Sequence, residues 1–265
     1  MTSNRQLSCY VRTKNEERMI GTVLDQVKKL TDNIVVVDSG SSDKTEDIVR
    51  SKGAVFLSQE WLGWGYQKLV GQNACSTDWV LDLDADEVLS DELIEEITEW
   101  FRTDPDKETV FSLELITVPP YGEYWYKSNV VRRDRIYNRN YYSAPKHEAW
   151  DQLPKDQIKK RVQLKGPLFH FSFPSAEHMI GKYNSTSSKF AQTAKLKPEM
   201  NLRIRILLAI PIYFSKHYFI KGLWRQGIYG FSVSMITAFG RWMRDVKMLE
   251  LHMRAKGLRN AEYDD

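Results

Sequence analysis

The hydrophobic positions in the first part of the chain alternate between the two periods of regular secondary structure. Apolar runs typical of buried strands occupy residues 7–11, 34–37, 54–57 and 79–83. Apolar residues recur at helical spacing over 19–30, where Asn15 is placed to cap the helix. Shorter helices are predicted near 43–49, with Asp43 and Glu46 as a capping pair, and near 65–74. This alternation predicts βαβ units, and therefore an α/β fold with a mostly parallel sheet and flanking helices.

Polar clusters follow three of the predicted strands, at residues 13–16, 38–43 and 84–87. Open parallel sheets bind ligands beyond the C-terminal ends of their strands, so three clusters at one edge predict a binding site. A dinucleotide-binding domain requires a glycine fingerprint after its first strand, and residues 11–15 contain no glycine. A GxxxxGK[ST] phosphate loop is also missing from the sequence.

The third cluster is the acidic stretch Asp-Leu-Asp-Ala-Asp-Glu at residues 82–87. In an extended strand Asp82, Asp84 and Asp86 would share one face, with Glu87 on the other. Carboxylates this close repel unless a metal or a cationic partner lies between them, although a solvated acidic turn is the simpler alternative. A calcium loop is excluded because Glu87 occupies the glycine position and Leu93 the position of the bidentate glutamate.

Composition limits the classes of protein to consider. The chain has 265 residues, 42% of them hydrophobic, which is enough for one large domain with an appendage. A net charge of +3 gives no indication of a nucleic-acid partner. The two cysteines, Cys9 and Cys75, predict a reducing, cytosolic compartment, and the polar first ten residues lack a signal-peptide core.

The middle of the chain, residues 104–173, is rich in aromatic residues and arginine. The aromatic residues are Tyr121, Tyr124, Trp125, Tyr126, Tyr137, Tyr141, Tyr142 and Trp150, and the arginines are Arg132, Arg133, Arg135 and Arg139. Aromatic rings stack on sugars and arginine binds diphosphates or anionic acceptors, so this composition fits a sugar site. An ordinary amphipathic β-region and an RNA-binding surface are the alternatives, the latter without a recognisable signature.

The region from residue 201 to about 260 combines apolar runs at 206–214 and 228–239 with many cations. These are Arg203, Arg205, Lys216, Lys221, Arg225, Arg241, Arg244, Lys247, Arg254, Lys256 and Arg259, against Asp245 and Glu250. No charge-free run approaches the ~18–20 residues of a membrane span. Basic amphipathic helices lying on anionic lipid are predicted, with a helical subdomain packed on the sheet or on a partner as the alternative.

Three motifs resemble the successive nucleotide-sugar motifs of family 2 glycosyltransferases: TKNEE at 13–17, VDSGSSDKT at 37–45 and LDADE at 83–87. The sequence is most similar to the bacterial lipopolysaccharide core glucosyltransferases of that family, with further counterparts at 135–137, 147–148, 169–171 and 182–184. The resemblance covers about residues 5–195. It implies the GT-A fold, with a Rossmann-like nucleotide-binding sheet, an inverting transfer, and Mn²⁺ or Mg²⁺ bound by the DxD element.

The resemblance also implies site residues. Donor-binding residues would be Thr13, Asn15, Glu16, Asp38, Lys68, Asp84 and Arg135, and metal ligands would be Asp84, Asp86 and His170. For His170 a hydrogen-bonded core position is the alternative. Lys14 and Ser39 replace residues common in the family, so the donor nucleotide is left undefined, and Ala238 replaces the glutamine of the processive Gln-x-x-Arg-Trp signature. Addition of a single sugar is therefore expected.

The transfer requires a general base on the face of the sugar opposite the diphosphate. Glu148 is the first candidate, because it matches the family's His-Glu pair with His147 and because nearby Trp150 would raise its pKa by desolvation. Asp134, among arginines that favour a structural ion pair, is the second, and Asp151 is expected to be solvated.

The sequence thus predicts a GT-A domain at 1–198, with a nucleotide-sugar half at about 5–103 and an acceptor half at 104–198, and a membrane-associating helical region at 199–265. The predicted function is transfer of one sugar to a lipid-linked glycan such as a lipopolysaccharide core, at the cytoplasmic face of a bacterial inner membrane. A degenerate membrane-attached sugar-binding or scaffolding protein is the alternative. A sugar-1-phosphate nucleotidyltransferase would begin with a glycine- and arginine-rich loop that the sequence lacks.

Overall fold

Eight strands form one mixed sheet in the computed structural model, which describes residues 6–148, 150–258 and 260. The strands are β1 (Leu7–Thr13), β2 (Ile34–Asp38), β3 (Val55–Ser58), β4 (Trp79–Asp84), β5 (Glu87–Leu89), β6 (Thr109–Thr117), β7 (Val131–Asn138) and β8 (Lys160–His170). Their order is β3-β2-β1-β4-β7-β6-β8-β5. The first four strands are mutually parallel, and β7 joins them in antiparallel orientation. The predicted α/β fold with flanking helices is confirmed.

Four helices accompany this sheet: α1 (Ile20–Lys28), α2 (Thr45–Ser51), α3 (Trp64–Ala74) and α4 (Asp91–Arg102). The β-branched strand β2 is buried along its whole length, as its continuous apolar run predicts. Its alternate residues enter two hydrophobic clusters, with Val36 in one and Val35 in the other. A sheet covered on both faces leaves its strand ends as the place where polar side chains can gather.

The register of the parallel strands brings the predicted polar clusters to one edge. Thr13 at the end of β1 is opposite Asp38 of β2, and Arg12 is opposite Asp84 of β4. Thr13, Asp38 and Asp84 are the last residues of their strands. The expectation that the clusters share the C-terminal edge of the sheet is therefore confirmed.

The predicted helix caps differ from those observed. Asn15 does not cap α1, because the helix begins only at Ile20 and Asn15, at φ 53°, accepts a hydrogen bond from the Ser42 N–H instead. Asp43 does accept the Thr45 N–H at the start of α2. Its expected partner Glu46 instead pairs with Arg50 along the same helix.

The acidic stretch is also not extended. The chain turns at Ala85 and Asp86 and resumes as β5, which pairs antiparallel with β8. The predicted arrangement of three aspartates on one face with Glu87 opposite is wrong, because the turn ends the strand alternation after Asp84. Glu87 instead accepts the Asp84 N–H through its carboxylate and joins the same charged cluster.

The described residues form two compact units, the first within 1–118 and 131–172 and the second within 119–130 and 173–265. The second unit contains α5 (Ala176–Thr193), α6 (Glu199–Ser215), a π-helical turn (Lys216–Ile220), a 3₁₀ turn (Leu223–Gln226) and α7 (Gly227–Ala255). Both α5 and α6 pack on α7. The predicted C-terminal helical region is confirmed, while a domain boundary after residue 198 stays a prediction. Arg259 and residues 261–265 lie outside the described residues.

No helix in the described part of the chain is both long and apolar enough to cross a membrane.

Candidate active site

Arg135 of β7 joins three carboxylates at the C-terminal edge of the parallel strands. Its Nη1 donates to Asp82 Oδ2 at 3.0 Å, and its Nη2 to Asp84 Oδ2 at 3.3 Å and to Glu87. The Arg135 side chain is 4% exposed. The carboxylates therefore have the cationic partner that their crowding requires, and that partner belongs to the protein.

Two further cations complete the cluster. Lys68 of α3 places its Nζ 2.6 Å from Asp82 Oδ2 and 3.2 Å from Asp151 Oδ2. Arg12 contacts the remaining oxygen of Asp84 and lies 3.7 Å from Asp151 Oδ2. The expectation that Asp151 is simply solvated is wrong, because its carboxylate is 28% exposed and contacts both cations.

These contacts move the pKa values of the carboxyl groups in opposite directions. Burial alone would raise the pKa of Asp84, but Arg12, Arg135 and Lys68 hold it well below its usual range. Burial raises the pKa of Glu87 to about 7 against the opposing effect of Arg135. For Asp151, burial raises the pKa, and Lys68, the Gln152 amide and Arg12 lower it to a net value below normal. Asp84 and Asp151 are thus ionised partners of the cations.

The N-terminus of α3 fixes the loop that carries Asp151. The Trp64 N–H donates to the Glu148 carbonyl at 2.7 Å, and the Gly65 N–H to the His147 carbonyl at 2.9 Å. A Cβ at Gly65 would lie 2.6 Å from the Trp150 carbonyl, which is closer than real side chains approach. The loop therefore packs directly on glycine, and Asp151 reaches Lys68 one turn further along the helix. The Glu148 side chain is exposed, so the predicted desolvation of this carboxyl group is not observed.

Asp86 and His170 form a pair beside the cluster, with Asp86 Oδ2 3.4 Å from His170 Nε2. Burial lowers the pKa of His170, while the hydrogen bond and charge of Asp86 raise it to a net value above normal. Two ligand atoms that share one Mg²⁺ or Mn²⁺ at about 2.0–2.2 Å lie about 3 Å apart, so the pair fits a divalent cation. Among the described residues, no three or more His, Cys, Asp or Glu side chains are arranged so that they could hold a metal ion together. A cation here would take its other ligands from substrate phosphates and water, as Mg²⁺ commonly does.

The first two predicted motifs meet as interlocked loops. Asp38 Oδ2 accepts the N–H groups of Gly40 and Ser41, and the Glu16 N–H donates to Thr45 Oγ1. Thr13 Oγ1 is buried and has no hydrogen-bond partner among the described residues. Because a buried hydroxyl is normally satisfied, the Thr13 hydroxyl has unused hydrogen-bonding capacity at this edge of the sheet.

Other predicted residues lie apart from the cluster. Asp134 is bound by both nitrogens of the Arg161 fork, at 2.9 and 3.0 Å, and its neighbour Arg135 points to the opposite side of β7. Tyr137 and Tyr142 are buried core residues, and the Tyr137 hydroxyl lies 3.0 Å from that of Tyr10.

Arg12 was not predicted from the sequence, and Asp151 was predicted to be solvated instead of paired. Arg12 lies near the C-terminal end of a strand that otherwise contains apolar and small residues. A charged residue at that position was the sequence feature that could have indicated its place in the site. Asp151 has no local signal, because its partners lie far away in the sequence on β1 and α3.

Comparison with known proteins identifies the family of the chain. The sequence model of the glycosyl transferase family 2 matches residues 8–170. An uncharacterised glycosyltransferase of Rickettsia typhi is 30% identical over 96% of this chain and 90% of its own length. The lipopolysaccharide core biosynthesis glycosyltransferase LpsC of Rhizobium meliloti is 27% identical, with 93% of each chain covered. The crystal structure of S. aureus TarS is similar over 94% of this chain and 92% of that one, at 15% identity and a TM-score of 0.45. The family model covers more than half of the chain, so the chain belongs to glycosyltransferase family 2 and is a glycosyltransferase.

Proposed function

We propose that this glycosyltransferase transfers one sugar, with inversion and with the aid of Mn²⁺ or Mg²⁺, from a nucleotide-sugar donor to a lipid-linked glycan. The observation that carries the proposal is the cluster at the C-terminal edge of the parallel strands. There Arg12 and Arg135 contact Asp84, and Lys68 contacts Asp82, beside the Asp86–His170 pair. A leaving nucleoside diphosphate is stabilised by positive charge, which Arg12, Lys68 and a divalent cation at the Asp86–His170 pair would supply.

The donor would lie along the interlocked loops. We assign the nucleoside to Thr13, Asn15, Glu16 and Asp38, and the diphosphate to Lys68 and Arg12. Both cations contact the Asp151 carboxylate in the structure. A bound diphosphate would therefore take the place of the Asp151 carboxylate as their anionic partner. The buried, unpartnered Thr13 Oγ1 and Arg12 Nε supply hydrogen-bonding groups for that exchange.

We assign the metal to Asp86 and His170. A bound divalent cation would stabilise the negative charge that develops on the leaving nucleoside diphosphate. Both oxygens of Asp84 already accept from guanidinium groups, so direct metal coordination by Asp84 would require displacement of Arg12 or Arg135. We propose that Asp84 instead keeps those two cations in place.

Glu148 is the proposed general base. Its exposed carboxylate, on a loop fixed by the N-terminus of α3, can accept a proton from an acceptor hydroxyl. Glu148→Gln should keep donor binding but reduce turnover by about 10²–10⁴-fold, measured as nucleoside diphosphate release. Asp134→Asn is the matched control and should retain turnover, because Asp134 is held by Arg161. The opposite pattern would assign the base to Asp134.

The acceptor proposal rests on the second unit and on the relative LpsC, which is named for lipopolysaccharide core biosynthesis. In the second unit of this chain, large apolar side chains such as Leu207, Ile220 and Ile228 are exposed, and many cations lie on the same helices. Such surfaces bind anionic lipid at the headgroup level, so we place the enzyme peripherally at the cytoplasmic face of a bacterial inner membrane. It should float with phosphatidylglycerol vesicles at low salt and detach at high salt. Attachment that only detergent reverses would contradict this.

The proposed activity is tested with a panel of nucleotide sugars and a bacterial lipid extract as acceptor, with Mn²⁺ present. We expect one donor to release its nucleoside diphosphate only when the extract is added, with the sugar recovered in the lipid phase. If no donor reacts although nucleoside diphosphates bind, a sugar-binding role would replace the proposal.

A further inference from the structure

The contact between α6 and α7 carries an excess of positive charge. Asp245 of α7 is completely buried and accepts from Arg205 of α6, with Oδ2 3.1 Å from Nε and 2.8 Å from Nη2. Lys197 Nζ lies 3.7 Å and Arg244 Nη2 3.4 Å from Asp245 Oδ1. Within the described part of the chain, Asp245 is the only carboxylate within ion-pair distance of these three cations. A single negative charge therefore lies among three positive charges.

Arg241 adds a fourth cation. Its guanidinium lies over the ring of Tyr213, 5.6 Å from the ring centroid. Burial raises the pKa of Tyr213, but Arg205, Arg241 and Arg244 together lower it to a net value below normal. Burial and the charges of Arg205 and Arg244 likewise lower the pKa of Lys197. The Tyr213 hydroxyl and the Lys197 ammonium thus lie in one positive field.

Arg244 is the buried member of this group. Its side chain is 10% exposed, with the guanidinium packed 4.8 Å from the centre of the Phe190 ring. Its Nε is buried and has no hydrogen-bond partner among the described residues. A buried cation that is only partly paired costs stability, and an anion close by would offset that cost.

The outer members are accessible. Arg241 is exposed, and the side chains of Lys197 and Arg205 are each 34% exposed. Arginine forks and ammonium groups are the side chains that bind phosphate oxygens most strongly. We propose that the seam between α6 and α7 is a phosphate-binding site, formed by Arg241, Lys197, the exposed edge of Arg205 and the Tyr213 hydroxyl.

The surroundings favour a phosphate carried by a lipid. Leu208 and Ile212 follow Arg205 at spacings of three and seven residues, so they lie on the same face of α6, and both are exposed. Phosphate beside an apolar surface is the chemistry of a phospholipid headgroup or of a lipid-linked phosphate. A soluble phosphate ester shares the charged part of that chemistry and lacks the apolar part.

The test titrates inorganic phosphate into the full chain by calorimetry, with sodium chloride at equal ionic strength as reference. The double variant Arg241→Gln/Lys197→Gln should weaken phosphate binding at least about tenfold, because charge-assisted hydrogen bonds are lost. Neither substitution removes the bidentate partner of Asp245, so the fold should persist, as checked by thermal unfolding. Arg203→Gln is the matched control: it lies on α6 two residues from Arg205, facing elsewhere and paired with Glu199.

Vesicles of phosphatidylcholine with phosphatidic acid then identify the source of the phosphate. Competition between these vesicles and phosphate, lost in the double variant, supports a lipid phosphate, while phosphate binding without competition supports a soluble ester. Phosphate binding that is absent, or equally strong in the double variant, overturns the site. Nucleoside diphosphate binding, measured in parallel, should be unchanged in the double variant, so failure here is distinguishable from failure of the proposed donor site.

Discussion

Among the described residues of the first unit, Arg135 is the one whose side chain contacts the largest number of carboxylates. It is the shared partner of Asp82, Asp84 and Glu87, and it is almost fully buried. Removing one partner of a buried ion pair is costly because the remaining charge has no solvent to replace it. The fold therefore depends on Arg135, which also holds the three carboxylates beside the proposed donor site in place.

Arg135→Met should lower the free energy of unfolding by about 3–5 kcal/mol, since three carboxylates lose their common cation. Arg132→Met is the control on the same strand. Its pair with Glu114 is largely exposed, so the expected loss is below about 1 kcal/mol. Urea denaturation of the two variants measures the difference, and equal losses would show that the cluster is not buried as described.

Among the elements, the N-terminus of α3 has the most direct effect on the site. Its two glycines let the backbone of Pro145, His147, Glu148 and Trp150 approach the helix closely, and this approach brings Asp151 to Lys68. Any side chain at Gly65 must push the loop away, because backbone carbonyl groups surround the position. Packing at the start of the helix therefore controls the electrostatics one turn later.

Gly65→Ala should destabilise the protein by about 1–3 kcal/mol through overpacking and weaken donor binding as Asp151 moves. Gly181→Ala tests the substitution itself, because a Cβ there meets no atom within 4 Å and lies inside α5. That variant should gain about 0.5–1 kcal/mol from helix propensity. Thermal unfolding and nucleotide binding report both effects, and a neutral Gly65→Ala would contradict the described packing.

The π-helical turn of the second unit contains a histidine that is kept neutral. Burial, followed by the charges of Lys216, Arg241 and Lys221, lowers the pKa of His217 to about 4. In the unfolded chain His217 takes up a proton near pH 6.5, whereas the folded protein resists protonation until about pH 4. Its contribution to stability is therefore complete above pH 6.5 and is lost as the pH falls toward 4.

His217→Gln should remove that part of the pH dependence. The difference in unfolding free energy between the parent and the variant is expected to shrink from pH 7 to pH 4. Denaturation at several pH values measures it, and a difference independent of pH would mean that His217 titrates normally.

At the scale of the whole molecule, the local parts of the structure were predictable and the non-local parts were not. The four parallel strands coincide with apolar runs. Strand β2 is buried along its whole length, as such a run predicts, whereas Val55 of β3, at the edge of the sheet, is 62% exposed. Strand β7 was missed because five of its eight residues are polar or charged in the sequence Val-Arg-Arg-Asp-Arg-Ile-Tyr-Asn, with Arg135 buried only through distant carboxylates. The turn at Ala85 was missed because pairing of β5 with β8 imposes it.

The same division applies to the candidate site. The three polar motifs were identified from their positions after strands, and the sheet register brings them together. The depressed pKa of Asp151 and the three-way contact of Arg135 depend on chain segments far apart in sequence, so no local pattern encodes them. Family resemblance supplied the residue types, and the structure supplied their partners.

We propose above that Asp86, with His170, binds the metal that holds the donor diphosphate. The most direct measurement is calorimetric binding of a panel of nucleoside diphosphates to the parent and to Asp86→Asn, in Mn²⁺ and in EDTA. Asp91→Asn, an exposed carboxylate at the start of α4, is the control. In the parent and in the control, we expect one nucleotide to bind at least about tenfold more tightly with Mn²⁺ than in EDTA. Asp86→Asn should lose this dependence on Mn²⁺ while its unfolding temperature stays unchanged. Equal binding in EDTA, or full Mn²⁺-dependent binding by Asp86→Asn, would contradict this assignment of the metal site.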